Sequence, residues 1–152
     1  MNLRQIPLIF IALLAWGQPG SALAETKIWS AVILASNAPE PKESPEVLKP
    51  VFQGLKRFFG YNQFEILGSS TMSVDAKVEE WLVPTEHFWL SVRARKTTSQ
   101  EARGAYLLNL ELFHDKRPLV ATEARLGPES PLFIRGPVHA TGQVLVVLQV
   151  QR

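Results

Sequence analysis

The sequence predicts a mainly β fold, either a β-sandwich or a half-open barrel of about eight mostly antiparallel strands, with one amphipathic helix after the first strand. Apolar residues recur at helical spacing between Ser44 and Gly60, whereas from Tyr61 to the C-terminus they alternate with a period of two. The alternating segments are short, and turn-forming residues such as Gly127-Pro128 separate them.

The first 24 residues have the order of a secretory signal peptide. Arg4 precedes an apolar run from Ile6 to Trp16, and the small residues Ala22 and Ala24 stand before the expected cleavage point. The run is shorter than the roughly 20 residues that span a bilayer. An uncleaved anchor is the alternative, which the helix-breaking prolines and glycines disfavour. We therefore expect an exported protein, periplasmic or secreted, with a single β-sandwich domain over residues 25–152 and no membrane span in it.

The first strand is predicted over Thr26 to Ala35. Apolar residues occupy both its odd and its even positions, which indicates that both faces of the strand are covered. The helix is predicted to begin at Ser44-Pro45, a capping hydroxyl followed by proline in the first turn, and to end at Gly60. Pro50 lies past the first turn and is expected to bend the helix or delay its start. The apolar stripe expected to pack on a sheet consists of Leu48, Phe52, Leu55 and Phe59, flanked by Val51 and Phe58.

Seven further strands are predicted, with turns expected at Gly68-Ser69-Ser70 and Gly136-Pro137 among other places. The expected strands are Gln63 to Gly68, Val78 to Leu82, Phe88 to Lys96, Ala105 to His114, Leu119 to Leu126, Leu132 to Arg135 and Val144 to Gln151.

One strand register follows from the pattern. A loop of Asp115-Lys116-Arg117 between two strands would place Leu112 opposite Val120 and Leu108 opposite Ala124, so that one face is apolar. A loop of two or four residues would place Leu108 opposite Glu123 and bury charge. We therefore predict the three-residue loop.

Composition excludes several classes of protein. The sequence has no cysteine, which excludes a disulfide framework, a thiol nucleophile and a zinc-thiolate site. An exported domain without disulfides is more typical of bacteria than of small animal secreted proteins. The 16 basic residues against 14 acidic ones leave the chain nearly neutral, without the large positive excess that binding nucleic acid requires.

No catalytic or metal-binding motif is recognisable. His87, His114 and His139 show no HxH or HExxH spacing, so we expect no metal site. The cluster Ser69, Ser70 and Ser73 has the composition of a turn rather than of a nucleophile elbow. Adjacent Glu79 and Glu80 point to opposite faces of a strand and cannot act as one carboxylate pair.

The strand Phe88 to Lys96 is the best candidate for a binding surface. Alternation predicts that Phe88, Leu90, Val92 and Ala94 are buried and that the other face is formed by His87, Trp89, Ser91, Arg93 and Arg95. Tryptophan and arginine are the residues that most often dominate binding surfaces, although a covered Trp89 beside solvated arginines is the plainer interpretation. We take Trp89, Arg93, Arg95 and His87 as the candidate site.

Two segments resemble short exported proteins of the bacterial cell envelope to which no activity is assigned. They are Phe58-Phe59-Gly60-Tyr61-Asn62-Gln63-Phe64-Glu65-Ile66-Leu67-Gly68 and Pro131-Leu132-Phe133-Ile134-Arg135-Gly136-Pro137, the latter followed by Gly142-Gln143-Val144-Leu145-Val146-Val147-Leu148. The resemblance implies a bacterial envelope setting and no particular site residue.

We expect a non-enzymatic interaction or accessory module of the bacterial envelope, without a cofactor, whose partner is a protein. The first alternative is a small carbohydrate- or peptidoglycan-binding domain that uses Trp89, Arg93 and Arg95, and a weaker one is a hydrolase. An exposed Trp89 in a groove would favour a glycan, whereas a flat apolar patch or an open strand edge would favour a protein.

Overall fold

The computed structural model describes residues 25–74, 79–98 and 104–151. Within them, a short 3₁₀ helix covers Glu46–Leu48 and helix α1 covers Phe52–Phe59. The strands are β1 (Thr26–Ser36), β2 (Gln63–Val74), β3 (Glu79–Pro84), β4 (Phe88–Lys96), β5 (Tyr106–His114), β6 (Arg117–Leu126), β7 (Leu132–His139) and β8 (Gly142–Gln151).

The strands form two antiparallel sheets that face each other. The first sheet has the order β2-β1-β8-β7, and the second has the order β3-β4-β5-β6. The predicted mainly β fold with one helix after the first strand is confirmed, and its form is a sandwich rather than a half-open barrel. The expected signal peptide, Val78 and residues 99–103 of a predicted loop lie outside the described residues.

Strand β1 is covered on both faces, as its apolar pattern predicts. Ile28 and Val32 face the second sheet and join the core between the sheets, whereas Trp29, Ala31 and Ile33 face the helix and join a second core beneath it. The protein therefore has three layers, a helix on the first sheet and the first sheet on the second. The outer surface of the second sheet has no such helix over it among the described residues.

Helix α1 packs on the first sheet through its apolar stripe, but Pro50 divides the predicted helix in two. Proline past the first turn lacks a hydrogen-bond donor, so a 3₁₀ turn precedes Pro50 and the α-helix starts only at Phe52. Leu48, Val51 and Leu55 are buried in the second core, with Phe52 and Phe59 partly buried against it. Phe58 is different, since its side chain is 64% exposed.

Two of the predicted turns are wrong. Gly68-Ser69-Ser70 lies inside β2, which continues to Val74, and Ser73 belongs to the same strand. Gly136-Pro137 lies inside β7, where the register shifts between Arg135 and Val138. Another part of the backbone lies close to each glycine. A Cβ on Gly68 would lie 2.4 Å from the Pro84 carbonyl oxygen, and a Cβ on Gly136 would lie 3.0 Å from the Val144 carbonyl oxygen. Glycine inside a strand often marks a bulge or such a close approach of another backbone.

The register predicted for β5 and β6 is confirmed, although the loop is not the expected one. Leu112 pairs with Val120 and Leu108 with Ala124. The strands are joined by Asp115-Lys116 alone, and a register shift after Leu112 restores the predicted pairing. The two-residue turn and one bulge therefore replace the three-residue loop.

Candidate binding surface

The outward side chains of β4 lie on the open face of the second sheet. Burial alternates along the strand, with Phe88, Leu90, Val92 and Ala94 inside. Trp89, Arg93 and Arg95 point outward, and the Trp89 side chain is 51% exposed. Three of the four candidate residues taken from the sequence therefore share one surface, and Trp89 is not covered by the helix.

Side chains that contain rings form a line across this face near the hairpin turns. Trp89 pairs with Pro84 of β3 on one side and with Phe113 of β5 on the other, and Phe113 pairs in turn with Pro118 of β6. We call these four residues the ring row. Because neighbouring strands lie about 4.8 Å apart, the row extends roughly 14 Å across the strands.

A shallow groove of about 380 Å³ runs beside the ring row. Its apolar part comes from Leu82, Trp89 and Phe113, and Leu82 is 56% exposed. Its polar part comes from Ser91, Glu111 and Lys116. The groove thus combines aromatic and aliphatic side chains with hydrogen-bonding groups.

The next rows of the face are polar and charged. Leu82, Ser91, Glu111 and Ala121 follow the ring row, and behind them lie Glu80, Arg93, Asn109 and Glu123. The Arg93 guanidinium donates a hydrogen bond to Glu80 Oε2 at 3.1 Å, with both side chains about half exposed. The apolar character of the surface is therefore concentrated at the end that carries the turns.

His87 does not belong to this face, which corrects the grouping expected from the sequence. It precedes β4 in a turn where Thr85 Oγ1 accepts a hydrogen bond from the Phe88 backbone N–H. Its ring lies 5.5 Å from that of His139, centroid to centroid, and His139 belongs to the other sheet. The turn therefore directs His87 toward the end of the sandwich.

The three histidines of the sequence meet at that end. The His139 ring lies 6.2 Å from the ring of His114, and the Phe88 ring lies 5.0 Å from both. The nearest ionic partners are Glu86 for His87, at 3.8 Å, and Asp115 for His114, at 3.6 Å. In the part of the chain that the structure describes, no group of three or more metal-ligating side chains is arranged to hold an ion. The cluster is held by ring contacts, with the His139 ring packed against the rings of His87, Phe88 and His114.

Sequence reasoning misses this cluster and half of the groove. The histidines are far apart in the chain and meet because three hairpins turn at the same end of the sandwich. Phe113 and Glu111 reach the groove through their pairing with Trp89 and Ser91. The alternation along β5 predicts which of its side chains point outward. It does not predict that β5 pairs with β4, and this pairing is what brings the two side chains beside Trp89.

The basic side of the helix is the other surface of note. Lys49 pairs with Glu46 one turn earlier, and the Lys56 ammonium lies 5.5 Å from the centre of the Phe52 ring. Arg57 is exposed beside Phe58. These contacts are local, and lysine and arginine are expected near the C-terminus of any helix because they complement its dipole.

Comparisons with family models, curated proteins and solved structures give no match to this chain. Among the described residues, no helix has the length and apolar character needed to cross a bilayer.

Proposed function

We propose that the protein is a non-enzymatic binding module of the bacterial cell envelope and that it holds its ligand on the open face of the second sheet. The ligand would contact the ring row and the groove beside it. The exported, periplasmic or secreted setting is part of the proposal and rests on the signal-like N-terminus.

The observation that carries the proposal is the exposure of Trp89. A tryptophan that is half exposed in a free protein leaves a large apolar area in water, and covering it with a ligand is favourable. Leu82 adds a second exposed apolar side chain in the same groove. Large exposed apolar groups that lie together usually mark interaction sites.

Two kinds of occupant suit an exposed tryptophan on a flat sheet. A protein partner, the leading expectation from the sequence, would cover the exposed leucines Leu82, Leu107 and Leu119 of this sheet together with Trp89. A glycan would use only the narrow groove. Both occupants would contact Trp89.

Site-specific crosslinking tests the binding face without knowledge of the ligand. Leu82 is replaced by a benzophenone-bearing amino acid, which captures C–H groups of proteins and glycans alike, and the protein is irradiated in intact cells. We expect an adduct of altered mass, because Leu82 borders the groove. The same residue at Gln53, exposed on α1, is the matched control and should give no such adduct.

A second variant shows whether Trp89 is responsible for the capture. Trp89→Ala in the crosslinking protein should abolish the adduct at position 82 while leaving the amount of folded protein unchanged, since the Trp89 side chain contributes little to the core. Equal capture at positions 82 and 53, or capture that survives the loss of Trp89, would reject the proposed face.

A further inference from the structure

We infer that the occupant of the groove is an uncharged glycan that lies across the strands along the ring row, an inference that rests on the binding face proposed above.

The ring row provides the apolar contact that a sugar requires. A pyranose ring has an apolar face of C–H groups and an edge of hydroxyl groups. The flat side chains of Trp89 and Phe113 occupy neighbouring strands of the same face. Aromatic rings offer a large, rigid apolar surface of this kind. Pro84 and Pro118 continue the row on the outer strands, so that consecutive sugar rings have neighbouring supports.

The polar lining of the groove provides partners for the hydroxyl edge. Ser91 both donates and accepts hydrogen bonds, Glu111 accepts them and Lys116 donates them. All three line the same groove as Trp89 and Phe113. A ligand with one apolar face and one edge of hydroxyl groups would use both the apolar and the polar lining of the groove at once.

The balance of charge favours an uncharged ligand. Glu111 and Lys116 line the groove, and the row behind it contains Glu80, Arg93 and Glu123, so that basic groups are not in excess over acidic ones. An anionic polymer would require an excess of basic side chains at the site. Arg95 and Arg125 lie further along the face, away from the ring row.

The width of the apolar strip favours a chain over a protein surface. A standard protein interface covers about 800 Å² on each partner around an apolar centre. Here the ring row and Leu82 form a narrow strip, because the following rows contain Glu111, Arg93 and Asn109. The groove volume of about 380 Å³ is near the lower limit for small-molecule sites.

Calorimetric titration of the purified protein tests the inference with defined probes. Chitotetraose and cellotetraose are the neutral oligosaccharides, and a heparin oligosaccharide is the anionic one. We expect at least one neutral probe to bind and the heparin probe to bind more weakly or not at all. Trp89→Ala should weaken the neutral binding by roughly tenfold or more, the change in affinity that corresponds to 1.4 kcal/mol.

Phe58→Ala is the matched control, since Phe58 is an exposed aromatic residue on the helix side. It should leave the affinity for the neutral probe unchanged. Phe113→Ala should weaken it, and unchanged circular dichroism should show that each variant is folded. Preference for heparin, or neutral binding that persists in Trp89→Ala, would overturn the inference.

The two proposals fail in different ways. If neither neutral oligosaccharide binds while crosslinking at position 82 still depends on Trp89 and captures a protein, the glycan inference is wrong and the binding face stands. If crosslinking is independent of Trp89 as well, both proposals are wrong.

Discussion

The indole N–H of Trp81 donates a hydrogen bond of 3.1 Å to the Ser30 hydroxyl, across the interface between the two sheets. Both side chains are buried, and Ser30 stands among the apolar residues that β1 directs at the second sheet. A buried polar group without a partner is costly, so each of these groups requires the other. The pair therefore fixes how β3 lies over β1 in an otherwise apolar core.

Replacing Ser30 should reveal this dependence. Ser30→Ala leaves the Trp81 indole without a partner inside the core and is expected to lower the free energy of unfolding by about 1–3 kcal/mol. Denaturation by urea measures the change. Ser69→Ala, at an exposed position of the neighbouring strand, is the control and should have little effect. Equal losses in the two variants would show that the hydrogen bond is unimportant.

The helix should show a gradient of sensitivity along its apolar stripe. Leu55 is fully buried, so Leu55→Ala is expected to lower the free energy of unfolding by about 2–5 kcal/mol. Phe58→Ala should change it little, because that ring is mostly exposed. Phe52→Ala should fall between the two, below the 3–5 kcal/mol typical of a fully buried phenylalanine, since Phe52 is only partly buried against Phe64.

Thermal unfolding of the three variants measures the order. An unchanged melting midpoint for Leu55→Ala would show that the helix does not contribute to the core. A loss for Phe58→Ala as large as that for Leu55→Ala would contradict the exposure of Phe58.

Side-chain alternation predicted the fold and the hairpin register better than turn composition predicted the turns. A slip of one residue between β5 and β6 would bring Glu123 to the core. The burial of apolar side chains therefore determines the register, independently of the length of the loop. The loop itself contains Asp115 and Lys116 with φ of 47° and 66°, a left-handed pair for which glycine or asparagine is the usual signal. Because this signal is absent, the sequence predicted a three-residue loop in place of the two-residue turn and did not predict the bulge.

The binding surface was only partly predictable for a related reason. The alternation of apolar and polar residues along β4 predicted that Trp89, Arg93 and Arg95 share one face, because alternate side chains of any strand point to the same side. Whether a layer covers that face depends on where the helix packs, and the helix lies on the first sheet. His87 was misplaced because alternation does not continue into a turn.

Gly68 should be intolerant of a side chain. A Cβ there would lie 2.4 Å from the Pro84 carbonyl oxygen and 2.9 Å from a methyl group of Thr85, and a backbone oxygen cannot move aside cheaply. Gly68→Ala is therefore expected to lower the free energy of unfolding by about 1–3 kcal/mol. Gly127→Ala is the control, since a Cβ there meets nothing within 4 Å.

Urea denaturation of both alanine variants tests the close approach. Wild-type stability in Gly68→Ala would mean that β2 and the β3 terminus are further apart than described. A loss in Gly127→Ala as large as that in Gly68→Ala would assign the effect to the removal of glycine in general.

The turn between β7 and β8 should become more stable with glycine. Ala140 has a φ of 50°, in the left-handed region that disfavours residues with a Cβ. Ala140→Gly is expected to raise the free energy of unfolding by about 0.5–1 kcal/mol. Ala121→Gly, at an exposed strand position, should lower it by a similar amount. A melting midpoint that falls in both variants would contradict the left-handed geometry of Ala140.

Arg93 and Arg95 should be dispensable for folding. Both side chains are exposed, and the contact of Arg93 with Glu80 joins two half-exposed groups across neighbouring strands. Exposed ion pairs contribute about 0–1 kcal/mol, because water solvates the separated charges almost as well. The double variant Arg93→Ala and Arg95→Ala is therefore expected to keep its circular dichroism spectrum and to unfold within about 1 kcal/mol of the wild type. Glu80→Gln serves as the control for the pair itself, and substantial unfolding of the double variant would show that the arginines support the sheet rather than occupy its solvent face.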